Sequence, residues 1–156
     1  MPRIVTTIEI RAPLERVFDY ATTAGNWPSW HPASRSVRGA TDHSAAPGER
    51  ISEEIPTGGR SWRTVWTVRE RAPPHRWAIE GEAQGGGSAV ITYRLSAQDG
   101  GTRFERELVY RMPNLWLAVL NRLLIQRRMA GESAEALRRL KQILERSSVE
   151  ASARPL

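Results

Sequence analysis

Two charged side chains fall on strand faces that are otherwise apolar. Arg106 stands between Phe104 and Leu108 in TRFERELVYRM, and Glu53 stands between Ile51 and Ile55 in RISEEIP. Side chains alternate across a strand, so each charge shares a face with its apolar second neighbours and is drawn inward with them. A buried charge is costly unless paired or hydrogen-bonded, so Arg106 requires an anionic partner: Glu53, Glu70 or a bound anion. His31, between Trp30 and Pro32 in NWPSWHP, is the one histidine placed beside such an interior, and its ordinary pKa suits proton transfer near neutrality. His31, Glu53 and Arg106 are therefore the candidate catalytic groups. A structural Arg–Glu pair and a loop histidine are the plain alternatives.

The same inward faces are rich in aromatic rings. Trp62, Trp66, Trp77, Tyr93, Phe104 and Tyr110, with Trp30 beside His31, would supply flat walls for a ring-containing or acyl ligand. Each ring taken singly serves equally well as core, and the cluster is what points to a ligand. The chain has no cysteine, which removes disulfides, thiolate metal sites and thiol nucleophiles. His43 falls in a polar loop and His75 in a turn, and three scattered histidines without HExxH-like spacing argue against a metal centre. No G-x-S-x-G elbow, P-loop or dinucleotide fingerprint is present, and Gly85–Gly87 reads as a hairpin tip. No cofactor is expected.

These residues must be positioned by the elements around them. Residues 3–11 alternate as a strand with Ile4, Thr6, Ile8 and Ile10 on one face. Pro13 and the spacing of Leu14, Val17, Phe18 and Ala21 predict a short helix, and a second very short one covers Asn26–Pro32. From Ser34 to Met112 six strands are separated by turn signals, among them Pro56–Gly59, Pro73–Pro74 and Asp99–Gly101. One inward list is Trp62, Thr64, Trp66, Val68 and Glu70, opposed by Arg63, Arg69 and Arg71 outside. From Asn114 to about Arg146 a long helix carries Val119, Leu123, Ala130, Ala134, Leu137, Leu140 and Leu144 along one stripe. Such a meander covers its apolar face only by curling around that helix, an α+β arrangement with space for a cavity between them. Residues 1–146 are then one domain, and 147–156 a disordered tail.

The length of 156 residues suits one core, and a net charge of +6 first suggests an anionic partner. The positive residues are nearly all arginines scattered from Arg3 to Arg154 among acids, a pattern of GC-rich codon usage with no recognition motif, so no nucleic acid is expected. The apolar stretch Leu115–Ile125 is too short to span a bilayer, and the N-terminus lacks a signal-peptide pattern, which predicts a cytoplasmic protein without a membrane span. Trp116, Leu117 and Leu124 fall off the inward stripe and are the expected contact of a homodimer.

Through the stretches APLERVFDYATTAGNWPSW, VRERAPPHR, DGGTRFERE and LRRLKQILE the chain resembles, from about Arg3 to Glu145, the START-like (helix-grip, SRPBCC) superfamily, specifically its bacterial polyketide cyclase/dehydrase and lipid-transport group. The resemblance implies a curved antiparallel sheet of about seven strands around a long C-terminal helix, with two short helices after the first strand. It also implies a hydrophobic tunnel between sheet and helix. Two functions are open: binding or transfer of a lipid, isoprenoid or aromatic metabolite, and cofactor-independent aldol cyclisation and dehydration of a polyketide chain. In the second, Arg106 would stabilise an enolate, Tyr93 or Tyr110 would donate a hydrogen bond, and His31 or Glu53 would move the proton. A third reading, a filled domain that contacts a protein partner, finds little support in an outer face of mixed charge.

Overall fold

The computed structural model describes residues 2–57 and 59–153, without the side chains of 57, 115–118, 120, 121 and 151–153. Strand β1 (Arg3–Ile10) leads into helix α1 (Leu14–Thr22), a 3-10 turn (Ala24–Asn26) and the short helix α2 (Trp27–Trp30). Strands β2 (Ser36–Gly39), β3 (Arg50–Thr57), β4 (Arg60–Ala72), β5 (Arg76–Ala83), β6 (Ser88–Gln98) and β7 (Gly101–Arg111) follow, and α3 (Leu115–Ala153) closes the chain. All neighbouring strands are antiparallel, in the order β1-β7-β6-β5-β4-β3-β2, so the first strand is added beside the last by a long return connection. Helix α3 packs on β1 and α2. This is the helix-grip fold: a seven-stranded curved sheet with a long C-terminal helix.

The buried set follows the alternation. Ile4 and Ile10 on β1, Trp77 and Ile79 on β5, Ile91, Tyr93 and Leu95 on β6, and Phe104, Leu108 and Tyr110 on β7 all join the core. Fully burying one such large side chain contributes roughly 1.5–3 kcal/mol. Helix α1 buries Val17, Phe18 and Ala21 through the spacing expected of it.

Three features depart from expectation. A bulge between Val68 and Glu70 shifts the β4–β5 register, so Glu70 pairs with Ala78 and Arg71 with Trp77. The extra residue exchanges the two faces beyond it. Glu70 accordingly points out and pairs with Arg76 at 2.8 Å, which removes it as a partner of Arg106. Arg71 falls on the face of Trp77 in register but stays exposed at its edge, its guanidinium 5.7 Å above the Phe18 ring and its Nε donating to Ser44 Oγ at 3.0 Å.

Helix α3 is the second departure. Its buried stripe holds Ser133, Ala136, Leu137, Leu140 and Leu144, whereas Val119 and Leu123 are 72% and 73% exposed and Ala134 also faces solvent. Its 39 residues rise about 58 Å, longer than the roughly 36 Å of an 11-residue strand, so its N-terminal turns overrun the surface they were expected to cover. Of the three residues expected at a dimer contact, Leu124 is exposed, and the side chains of Trp116 and Leu117 lie outside the described residues. The third departure is at the other end, where α3 continues to Ala153 past the boundary expected near Arg146. No proline interrupts it before Pro155, Ser147 Oγ donates to the Ile143 carbonyl and Arg16 reaches Ser148 Oγ at 2.8 Å, so 147–153 is helix rather than tail. Residues 154–156 lie outside the described residues.

Gly81 shows how tightly the interior is built. A Cβ there would come 2.4 Å from the Trp66 ring, which lies against the β5 backbone only because no side chain intervenes. Gly81→Ala should lower stability by roughly 1–3 kcal/mol through displacement of that ring, measured as the urea midpoint at constant m. An unchanged midpoint would mean that the indole is not held there.

Candidate functional site

Arg106 sits centrally on β7, opposite Tyr93 of β6 and Thr6 of β1 in the sheet register. It is 4% exposed. Its Nη1 donates to Ser133 Oγ of α3 at 3.1 Å, and that hydroxyl lies 2.9 Å from Thr6 Oγ1. The guanidinium thus joins sheet and helix through two hydroxyls. Its Nη2 lies 3.4 Å from His31 Nε2, and its Nε has no hydrogen-bond partner. Among the described residues no carboxylate comes within ion-pairing distance of it, so the expected Arg106–Glu53 pair is absent.

His31 follows α2, where Pro28 occupies the first helical turn and the backbone N–H of His31 caps onto the Trp27 carbonyl. The ring packs 5.9 Å from Trp30. Its Nδ1 accepts the Ala33 N–H at 3.2 Å. Burial first, and then the positive charge of Arg106, lower its pKa to about 3, so the ring is neutral at ordinary pH. A neutral imidazole has one acceptor and one donor. The Ala33 N–H at Nδ1 and the Arg106 N–H at Nε2 therefore compete for a single acceptor. One of the two donors is left unmatched in either tautomer.

Glu53, 7% exposed, is held apart from Arg106 on β3. Its Oε2 accepts Trp66 Nε1 at 2.7 Å, and the Ser34 hydroxyl lies beside the carboxyl without an aligned bond. Burial raises its pKa, while Ser34, Trp66 and the distant Arg106 charge act against that rise. Tyr93 is pushed up to about 12 by burial, with Arg106 opposing. The interior therefore holds one fixed positive charge among groups that burial drives toward neutrality.

The aromatic set divides. Trp77 stacks on Tyr93 at 5.4 Å, Tyr93 contacts Phe104 at 5.0 Å and Trp30 at 6.4 Å, and Trp77 Nε1 donates to the Ala45 carbonyl. These four rings wall one end of the interior, next to Arg106. Trp66 and Tyr110 are buried toward the other end. Trp62 is 40% exposed at the outer end of β4, against Gly85, where it borders a surface depression of about 280 Å³ with Glu54, Ser61, Arg63 and Gln84. It lies outside the interior wall to which its alternation assigned it, because the β3–β4 hairpin extends past the end of the core. Thr6 and Ser133 were not singled out from the sequence; each is a small polar residue on an apolar face or stripe, which was the available signal. His43 bonds Asp42 and Glu49 at the surface and His75 bonds the Leu95 carbonyl, both away from Arg106.

A seven-stranded antiparallel sheet gripping a long C-terminal helix defines the class. The chain belongs to the polyketide cyclase/dehydrase and lipid transport family, whose model matches residues 1–145. Among solved structures it is similar to the protein TTHA0849 from Thermus thermophilus, with TM-score 0.75 and 19% identity over 94% of this chain and 99% of that one. It is also similar to BH1534 from Bacillus halodurans, with TM-score 0.70 and 19% identity over 93% and 98%. DynU16, a protein of the dynemicin biosynthetic locus, matches with TM-score 0.64 and 12% identity over 92% of this chain and 47% of its own. At such identities the likeness concerns the fold. A penitrem biosynthesis cluster protein of Penicillium ochrochloron is 35% identical over 65 residues, which are 40% of this chain and 42% of that protein.

The lowered pKa of His31 has a signed consequence. Unfolding releases a ring that takes up a proton below about 6.5, so stability falls as pH drops from there toward 3, by about 1.4 kcal/mol per unit at most. The raised pKa of Glu53 acts oppositely, since protonation relieves its burial. Between pH 6.5 and 5, wild type should lose roughly 1–2 kcal/mol more than His31→Gln in urea unfolding. Equal losses would place the ring in water.

Proposed function

We propose that this chain binds or transfers a small, largely apolar molecule held between the sheet and α3, without a cofactor. The observation that carries this reading is the composition of the interior beside Arg106: Tyr93, its neighbour in register, packs with Trp30, Trp77 and Phe104 next to a charged group with hydrogen-bonding capacity left over. A core built for stability alone gains nothing from a guanidinium there. An amphipathic ligand would meet apolar walls and one polar end, the usual plan of a small-molecule site. Membership of a family described by cyclisation, dehydration and lipid transport supports the same class of ligand.

Cyclase or dehydrase chemistry is the second reading, favoured by the meeting of Arg106 and His31 at 3.4 Å beside Tyr93. Their N–H groups would stabilise an enolate oxygen as it forms. Glu53, with its raised pKa, would then exchange the proton needed for closure and loss of water. The similarity to proteins named for biosynthetic clusters accords with this, over less than half of those proteins' lengths.

Native mass spectrometry of protein purified without denaturant should show an added mass of roughly a few hundred daltons that is lost on denaturation. Uptake of the neutral probe N-phenyl-1-naphthylamine, read by its fluorescence, should occur in protein stripped of that mass. Neither a retained mass nor probe uptake would contradict a hydrophobic site.

A further inference from the structure

The donors around Arg106 specify more than an apolar ligand. Arg106 Nε–H and Trp30 Nε1–H are buried and unpartnered, and Arg106 Nη2–H shares the single acceptor of neutral His31 with the Ala33 N–H. The Trp30 ring adjoins both His31 and Tyr93. Of the groups that could accept, Ser133 Oγ lies between Arg106 and Thr6, Glu53 is turned to Trp66, and the Tyr93 hydroxyl beside the guanidinium leaves Nε unpartnered. Glu70, the other acid on the expected inward face, is bonded to Arg76 outside. Leaving buried donors unmade costs as much as a lost hydrogen bond each, and more where the donor is charged.

We propose that the ligand carries an anionic oxygen group, a carboxylate in the simplest case, that lies between Arg106 and His31 and accepts their free N–H groups. This rests on the hydrophobic-site reading above and adds the chemical class of the polar end. One oxygen about 2.8–2.9 Å from each of two nitrogens 3.4 Å apart completes an ordinary triangle of charge-assisted bonds. A carboxylate has a second oxygen for Arg106 Nε, the arrangement in which a guanidinium fork is most selective. It also supplies the negative charge that the protein withholds from Arg106. The apolar remainder of the ligand would extend past Leu108 and Ile91, the next inward residues along β7 and β6.

The test compares matched probes on stripped wild-type protein by isothermal titration calorimetry: laurate against lauryl alcohol, and 2-naphthoate against its methyl ester. The acid of the matching pair should bind about 10- to 100-fold more tightly than its neutral partner, the range of a hydrogen-bonded charge. Arg106→Gln should reduce that ratio to about one. Equal binding of acid and neutral probe by wild type would overturn the anionic end while leaving the hydrophobic site standing. Binding of neither would overturn both. The wild-type comparison decides the matter even where Arg106→Gln fails to fold, and an acid preference that persists in a folded Arg106→Gln would overturn the assignment to this residue.

Discussion

A guanidinium does not give up its proton in a protein, so a chain that encloses Arg106 encloses a charge. Burial can neutralise a histidine or a carboxyl, and here it drives His31 and Glu53 that way, but it leaves Arg106 charged. Everything near it is arranged around that constraint. Two hydroxyls, Ser133 from α3 and Thr6 from β1, take up one side of the fork, and this polar link crosses the seam where the helix grips the sheet. Tyr93 lies beside it in register, and His31 is brought down from the α2 turn to face it.

The remaining polar group inside is managed separately. Glu53 is tied to Trp66, and Trp66 is held by the missing side chain at Gly81, so its carboxyl is kept from moving onto Arg106. Both residues are buried in the same interior, yet no ion pair joins them. Holding them apart leaves one interior site that is positive and another that takes up a proton more readily than a surface carboxylate. That separation of roles links the packing of the sheet to the ligand class proposed for the protein.

Much of this was legible in the sequence because alternation is a strict code while it lasts. Arg106, Glu53 and the rings of β5 to β7 were placed inward by parity alone, and the order of strands and helices followed from prolines, glycines and periodicity. Parity fails at the first inserted residue. The bulge at Arg69 carries no glycine or proline to announce it, so Glu70 and Arg71 exchange faces without a signal. The stripe on α3 failed for another reason: Val119 and Leu123 share its period with Leu137 and Leu140, and periodicity says nothing about where the sheet beneath ends. Nor does a sequence reveal which of two inward charges will meet, since that depends on the curl of the sheet between β3 and β7.

Arg106 is thus retained for what it binds, at a cost to the empty fold. Urea unfolding of ligand-free Arg106→Met measures that cost, because methionine fills similar volume without charge and leaves Ser133 bonded to Thr6. Stability should be unchanged or raised, by up to about 4 kcal/mol, as when buried charges give way to apolar groups. A loss of about 3–5 kcal/mol would refute this view of the residue, marking Arg106 as half of an internal pair on which the fold itself depends.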